Sequence, residues 1–335
     1  MRTWFGIICF ILLFPWVGYK STADAGDPVK KKKVASIRYR LPPDNFASTV
    51  VSFKEEMAAR GYKEGKNIEY VDLLTSTGDQ SSAPEAEAFV EKNKGSVDAF
   101  LTCGWVSMFV RNKIKGTNIP QVASPVFQPV AVNLVGGPLN KPPKSNIAVV
   151  YLMYPPEKTI RLLKMVLPAA KKYGVVYHSQ VPADQYFKKW HEEAPVEARE
   201  GVEFVYFDLN DGVDKVTARI KQSGVDAFGG GVAIRRPEFA GLFKMGIPVV
   251  GPKLDTIELD KIKPTDELIG HYNPLDACGA QAAVILSDVF GGKNIGDITP
   301  QPAAKQMVYV NLDAAKRLGI NIPTKVLGYC SYIIK

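Results

Sequence analysis

The chain contains an internal repeat, which constrains its fold more than any other feature of the sequence. Ser96–Phe100 and Gly224–Phe228 both end in Val-Asp-Ala-Phe, and each is followed by an Ile-Pro pair, Ile119-Pro120 in the first copy and Ile247-Pro248 in the second. The Asp-to-Pro spacing is 22 residues in both copies. Each copy has the pattern of a short buried strand, a helix and a second strand after the Ile-Pro pair. The sequence therefore predicts two β-α-β units.

Further strand and helix candidates extend each unit upstream. Val34–Tyr39 and Tyr173–Tyr177 are apolar runs after lysines, while Asn67–Leu74 and Val202–Leu209 form the second strand of each half. The apolar periodicity of Phe46–Arg60 predicts a helix that ends before a glycine. Alternating strands and helices with short links favour parallel sheets that are covered on both faces. We therefore expect an α/β fold of two doubly wound, Rossmann-like lobes with a hinge and an interlobe cleft.

The N-terminus has the pattern of an export signal. Arg2 precedes the apolar run Trp4–Phe14, and the following residues lead to Ala23-Asp24-Ala25, which has the small-x-small form of a cleavage site. The run is shorter than the roughly 20 residues that a membrane span needs. We predict a signal peptide at residues 1–25, cleavage near Ala25 and a periplasmic mature protein, with an uncleaved anchor as the alternative.

Cysteine and histidine usage argues against a metal site. Beyond the predicted signal peptide, the chain has cysteines and histidines without CxxC or HExxH spacing: Cys103, Cys278, Cys330, His178, His191 and His271. The formal net charge of +8 fits a lysine-rich surface or a preference for acidic ligands. There is no helix-turn-helix before the first strand, and no nucleophile or paired-carboxylate motif. We expect no metal, cofactor or nucleic-acid partner, and no enzymatic activity.

Several segments, in this order, resemble a known protein family. They are Gly61–Ile68, the Val-Asp-Ala and Ile-Pro pairs, Gln128-Pro129 before Asn133–Val135, Cys278–Ala283, and Asn311–Ile320 with Ile322-Pro323. Together they resemble the ABC-transporter substrate-binding family that includes tryptophan- and tyrosine-binding proteins. The resemblance extends from about Lys33 to the C-terminus. Gln128 stands where this family usually has an aspartate.

The resemblance implies a type I periplasmic binding fold, in which two lobes joined by three crossovers close on a small solute. It places residues 33–151 and about 268–303 in the first lobe, and residues 152–267 and about 304–335 in the second. The implied partners are a small organic solute, such as an amino acid or another carboxylate, and an ABC permease with its ATPase. Contact with the membrane would be made only through the permease, and the protein would be a monomer.

In doubly wound lobes, ligands bind at the carboxyl ends of the strands. The residues that follow predicted strands, or lie on the returning segment, are therefore the candidate ligand-binding residues: Tyr39, Arg40, Gly104, Trp105, Ser124, Tyr177, His178, Arg235, Lys253 and Tyr272. Gly104 opens a helix whose N–H groups favour an anion. Trp105 suits stacking on a planar solute or packing under a loop. The side chains of Arg40, Arg235 and Lys253 could pair with an acidic group of the ligand or lie on the surface.

Two other functions are compatible with these patterns. A periplasmic sensor module would use the same cleft and pass its closure to a membrane kinase. An exported enzyme on a two-lobed α/β scaffold would place a reaction between the lobes. The export signal and the lack of catalytic motifs favour binding over catalysis.

Overall fold

The computed structural model describes residues 31–40, 46–77, 80–130, 132–152, 154–253 and 267–335. The predicted signal peptide and residues 254–266 lie outside the described residues. Residues 31–335 belong to one unit by their contacts. No helix in the described ranges combines the length and apolarity needed to cross a bilayer.

Strands and helices alternate along most of the described chain. The strands are β1 (Lys32–Arg38), β2 (Ile68–Leu74), β3 (Ala99–Thr102), β4 (Gln121–Phe127), β5 (Ile147–Leu152), β6 (Lys172–Tyr177), β7 (Glu203–Asp208), β8 (Ala227–Gly230), β9 (Val250–Pro252), β10 (Ile269–Tyr272), β11 (Gln301–Pro302), β12 (Met307–Asn311) and β13 (Tyr332–Ile334). The helices are α1 (Ala47–Ala59), α2 (Ala83–Asn93), α3 (Ser107–Ile114), α4 (Pro156–Val166), α5 (Pro182–Glu192), α6 (Val213–Ser223), α7 (Leu275–Phe290), α8 (Leu312–Leu318) and α9 (Thr324–Tyr329). The predicted β-α-β unit is confirmed in the first copy, as β3, α3 and β4. In the second copy, the segment between β8 and β9 forms the 3₁₀ helices Ala233–Arg235 and Pro237–Lys244 instead of the expected α-helix.

The first sheet has the strand order β11-β5-β4-β3-β1-β2, and all of its pairings are parallel. Successive residues of β1 face opposite sides of this sheet, as strand geometry requires. Val34 packs with Phe53 and Met57 of α1, whereas Ile37 packs with Val110 of α3. These side chains are all fully buried. Helices therefore cover both faces of the sheet, as predicted; we call this sheet and its helices the first lobe.

The second sheet is formed by two strand groups joined at one bridge. β7-β6-β8 is parallel throughout, and the bridge between Phe228 and Val249 connects it to β9-β10-β12-β13. Within this second group, β12 runs antiparallel to β10. The helices α4, α5 and α6 belong to this sheet, which together with them we call the second lobe.

The chain crosses between the lobes at three places. The crossings follow β5, β10 and β11, and lead to α4, α7 and β12. Since Ile269–Tyr272 pairs with β9 and β12, we propose that the second crossing begins after Tyr272 instead of near residue 268. The first lobe then comprises residues 31–152 and 275–302, and the second comprises 156–272 and 307–335.

Helix α7 returns from the second crossing and completes the core of the first lobe against α1. The hydroxyl of Thr49 donates to the carbonyl of Leu275 at 3.0 Å, and that of Ser52 donates to the carbonyl of Asp276 at 2.6 Å. A methyl group at Gly279 would overlap the backbone carbonyl of Thr49. The two helix backbones therefore pack so closely that glycine is required at the contact.

Candidate functional site

The connectivity brings the carboxyl ends of both sheets to the same boundary. Each crossing leaves the carboxyl end of a strand in one lobe. Two of them enter the N-terminus of a helix in the other lobe, which in parallel β-α units also lies at the carboxyl ends of the strands. The third enters β12, which is antiparallel to β10 and so begins at the same edge. Residues that follow these strands therefore line the candidate site.

Aromatic side chains cluster at this edge of the first lobe. The ring of Tyr39, just after β1, lies 5.0 Å from that of Phe46 and 5.7 Å from that of Trp105, measured between centroids. Trp105 also meets Phe109 edge-on at 5.2 Å. Burial, with a smaller contribution from Cys103, raises the pKa of Tyr39, so its hydroxyl stays protonated. We call Tyr39, Phe46, Trp105 and Phe109 the aromatic cluster; its Trp105 side chain remains partly exposed.

Gly104 lies directly under this cluster. Its φ of 71° is in the left-handed region, and a methyl group there would overlap the ring of Tyr39. The chain turns at Gly104 from β3 into the helical run that leads to α3. Within the described ranges, the N–H groups of Gly104 and Trp105 have no hydrogen-bond acceptor.

Ser124 in strand β4 and Gln128 directly after it are both buried polar residues, but their hydrogen bonding differs. The hydroxyl of Ser124 donates to the carbonyl of Cys278 at 2.8 Å and so ties β4 to α7. Gln128, the residue after β4, is only 3% exposed and has a φ of 59°. No acceptor among the described residues is bonded to its side-chain nitrogen. A buried, unpaired donor on a left-handed non-glycine residue is a typical feature of a ligand contact.

Arg40 stands apart from these groups. It is exposed, and its backbone N–H donates to the hydroxyl of Thr75 at 3.3 Å. The structure therefore brings Tyr39, Gly104 and Trp105 together, while Ser124 bonds within the lobe and Arg40 lies in water.

At the edge of the second lobe, His178 and Tyr177 face different surroundings. The backbone N–H of Gln180 donates to Nδ1 of His178 at 3.2 Å, so the Nε2 position carries the proton of the neutral ring. Phe239 contacts this ring edge-on at 6.3 Å. The ring of Tyr177 instead lies 5.5 Å below the ammonium group of Lys188 on α5, on the helix-covered face of the sheet.

The turn that follows β8 receives a carboxylate from within the chain. Asp184 is fully buried and accepts hydrogen bonds from the N–H groups of Val232 at 2.7 Å, His178 at 3.0 Å and Ala233 at 3.3 Å. Burial raises the pKa of Asp184 to about 6, against the lowering effect of these hydrogen bonds. A methyl group at Gly231 would overlap the carboxylate. The turn from Gly231 to Ala233 is therefore shaped around Asp184.

Both candidate cations of the second lobe, Arg235 and Lys253, are embedded in protein. Arg235 forms an ion pair with Glu267, whose side chain is 2% exposed, and its guanidinium lies 4.9 Å from the ring centre of Phe243. Lys253, directly after β9, is buried, and its backbone N–H donates to the carbonyl of His271 at 2.8 Å. A structural role accounts for the contacts of Arg235.

Tyr272 is half-buried at the end of β10. Its hydroxyl donates to the sulfur of Met307 at 3.2 Å, and its ring meets that of Tyr309 at 6.2 Å. Burial raises the pKa of Tyr272. These contacts hold Tyr272 against β12. In the described part of the chain, no three His, Cys, Asp or Glu residues are grouped to hold a metal ion.

Sequence comparison agrees with this architecture. A family model described as ABC transporter substrate binding protein matches residues 37–220. No curated protein sequence matches the chain.

Similar solved structures share the fold over nearly the whole chain. A conserved domain protein from Vibrio cholerae is 23% identical, with a TM-score of 0.71 over 91% of this chain and 99% of that one. An ABC domain from Streptococcus pneumonia in complex with L-Trp is 19% identical, with a TM-score of 0.72 over 91% and 100%. A ligand-free, open substrate binding protein with adhesive properties from Clostridium difficile is also 19% identical, with a TM-score of 0.72 over 91% and 99%. The α/β fold expected from the repeat is confirmed, and it is that of the type I periplasmic binding proteins.

Proposed function

Because the chain belongs to the ABC transporter substrate-binding protein family, we propose that it is the extracytoplasmic receptor of an ABC importer. It closes on a small solute that has a flat apolar part and a carboxylate or similar acceptor, and it delivers this solute to a permease and its ATPase. The observation that carries this proposal is the buried side-chain nitrogen of Gln128, a donor without an acceptor among the described residues. An unpaired buried donor costs about 1–3 kcal/mol, and a bound acceptor would offset this cost.

The position of Gln128 supports a shared site with the aromatic cluster. β4 is paired with β3, and β3 with β1, so the residues that follow these strands are neighbours along one edge. Tyr39 and Gly104 are level with each other by the register of β1 and β3, while Gln128 lies two to three residues further along this edge, because β4 extends beyond the end of β3. Adjacent strands lie about 4.8 Å apart and rise about 3.3 Å per residue, so this offset is on the order of 10 Å, which a solute of amino-acid size spans. The rings of Tyr39 and Trp105 then supply the apolar wall and Gln128 supplies a polar contact.

The repeat supports a carboxylate as the polar group of the solute. By the offset of 128 residues between the copies, Gly104 and Trp105 correspond to Val232 and Ala233. In the second lobe these N–H groups bind the carboxylate of Asp184. Their counterparts in the first lobe have no acceptor within the described ranges. A carboxylate on the solute would make the same contacts in the first lobe as Asp184 makes in the second.

A binding screen with matched ligands tests this proposal. L-tryptophan and 3,4-dihydroxybenzoate, each bound to a structural neighbour, are compared by thermal shift with tryptamine and catechol, which lack the carboxylate. A ligand at 100 times its dissociation constant stabilises by about 2.7 kcal/mol. We expect a carboxylate in the panel, extended to other amino acids and aromatic acids, to raise the melting temperature by several degrees. A panel in which no carboxylate outperforms its counterpart contradicts the proposed ligand class.

Gln121 provides a matched control for Gln128. It is fully buried at the other end of β4, but its side-chain nitrogen donates to Thr102 at 3.0 Å and to the carbonyl of Ser107 at 2.9 Å. Gln128→Glu replaces the donor by an acceptor and should weaken binding of the best carboxylate by at least about tenfold, a loss of about 1.4 kcal/mol. Gln121→Glu should lower the stability of the ligand-free protein and leave binding unchanged. Unchanged affinity in Gln128→Glu would remove the main support for this site.

We also propose that the mature protein is a periplasmic monomer, released by cleavage near Ala25. The motif Ala23-Asp24-Ala25 and the family support this placement. Intact-mass measurement of the periplasmic fraction should give a chain that begins near Gly26. Light scattering should give the mass of one chain. A product that retains Met1 and stays with the membrane would show an anchor instead.

A further inference from the structure

The three crossings between the lobes meet at a single buried histidine. His271 is fully buried near the end of β10, where the second crossing starts. Its Nδ1 lies 3.4 Å from the side-chain nitrogen of Gln306, in the third crossing. Its Nε2 lies 3.3 Å from the hydroxyl of Thr159, in the first turn of α4, which the first crossing enters. One imidazole ring thus touches groups at all three crossings.

These contacts assign the protons on the ring. The amide nitrogen of Gln306 can only donate, so Nδ1 of His271 accepts and Nε2 carries the hydrogen that Thr159 receives. Burial, followed by the nearby charge of Lys158, lowers the pKa of His271 to about 3. Lys158 is itself bonded to the carbonyl oxygen of the Gln306 side chain. The ring is therefore neutral at physiological pH and keeps both hydrogen bonds.

Tyr154 extends this group into the first lobe. It lies in the first crossing, is 2% exposed, and its ring centre is 5.5 Å from that of His271. On its other side, Phe127 at the end of β4 lies 5.9 Å away. The row Phe127, Tyr154 and His271 therefore runs from the first lobe through a crossing to the second. A rotation of one lobe against the other must alter at least one contact in this row.

We propose that His271 is a positioning residue that couples the three crossings, so that the lobes move about one shared pivot instead of three independently flexing segments. Asn273 adds a direct link between two crossings, because its side chain donates to the carbonyl of Lys305 at 2.8 Å. This role does not depend on which solute binds. It concerns the ligand-free protein and stands or falls separately from the proposed ligand class.

Hydrogen exchange of the ligand-free protein at pH 7 tests the coupling. His271→Phe keeps an aromatic ring beside Tyr154 but removes both hydrogen bonds. We expect exchange at residues 154–159, 272–276 and 302–307 to accelerate together by at least about tenfold, which corresponds to about 1.4 kcal/mol of opening free energy. Small-angle scattering should show a wider distribution of the radius of gyration. Acceleration confined to residues 272–276, or no acceleration, overturns the proposal.

His191→Phe is the matched control. His191 is also fully buried in the second lobe, but it bonds to the carbonyl of Phe187 at 2.8 Å and stacks on Tyr173, away from the crossings. The His191→Phe variant should have a lower melting temperature without faster hydrogen exchange at the crossings. Equal acceleration there would mean that general destabilisation explains the result, and the proposal would fail.

A milder pair of variants covers the case in which His271→Phe does not fold. Thr159→Val removes only the hydroxyl that accepts from Nε2, and Thr159→Ser retains a hydroxyl. We expect the first to accelerate exchange in the first and second crossings, and the second to restore wild-type exchange. Identical exchange in the two variants argues against the coupling.

Discussion

Gly104 lies against the ring of Tyr39 so closely that no side chain fits between them. The contact joins the end of β3 to the end of β1, and the backbone at Gly104 has a φ of 71°. The lack of room beside Tyr39 and the left-handed backbone therefore both require glycine at position 104, where the aromatic cluster adjoins the N–H groups of Gly104 and Trp105.

We predict that Gly104→Ala lowers the free energy of unfolding by about 3 kcal/mol, since backbone strain of about 1–2 kcal/mol adds to the overlap with Tyr39. Gly116→Ala is the control, because Gly116 has a φ of 81° but nothing within 4 Å of an added methyl group. It should cost only about 1 kcal/mol. Urea unfolding measures both values, and equal losses would show that the ring is easily displaced.

We predict that Trp105→Ala weakens binding of the best carboxylate from the screen by about tenfold or more, because it removes a partly exposed wall of the site. It also removes two ring contacts, so the melting temperature of the ligand-free protein should fall by a few degrees. Phe109→Ala loses the same contact with Trp105 but lies further along α3. It should lower stability similarly and leave affinity nearly unchanged; calorimetric titration of both variants separates a binding role from a packing role.

We predict that Arg235→Met lowers the free energy of unfolding by about 3–5 kcal/mol, because it leaves the Glu267 carboxylate buried without its ion-pair partner. Arg236→Met, at the exposed neighbouring position, should change stability by less than about 1 kcal/mol. Denaturant unfolding measures this difference. A stable Arg235→Met protein that no longer binds the carboxylate would instead assign Arg235 to the ligand.

We predict that stability decreases in acid partly through His191. Burial lowers the pKa of His191 to about 4 from 6.5, so the unfolded chain binds a proton between these values that the folded chain does not. Stability therefore falls as pH drops below about 6.5, by about 2 kcal/mol at pH 5. In urea unfolding, the free energy of unfolding of His191→Phe should therefore fall by about 2 kcal/mol less between pH 7 and pH 5 than that of the wild type. Asp184, with its pKa raised to about 6, opposes the trend equally in both proteins, so the difference isolates His191.

The repeat made much of the fold predictable. β6 and β7 agree with their predicted bounds to within one residue at each end. The short strand β10 was harder to place: its four residues, Ile269–Tyr272, carry little periodicity, and its partners lie elsewhere in the chain. Our proposed start of the second crossing, after Tyr272, therefore differs by several residues from the boundary expected from sequence.

The candidate site was predicted less completely, for identifiable physical reasons. Tyr177 ends a strand as expected, but strand alternation does not tell which face its ring occupies, and it lies under Lys188. The distant Glu267 that pairs with Arg235 could not be recognised without the fold. Gln128 follows a predicted strand and stands where the resembled family usually has an aspartate. Its burial and left-handed backbone are tertiary properties that the sequence does not show.

The packing of α7 on α1 has a consequence for how this chain is made. The first lobe closes its core with a helix that is synthesised after most of the second lobe. A nascent chain that ends at residue 152 exposes the faces of α1 and β4 that α7 later covers. The N-terminal half therefore cannot complete its native core alone, because that core needs contacts of high sequence separation with α7. This dependence on α7 leaves the first lobe without its complete core until most of the chain has been synthesised.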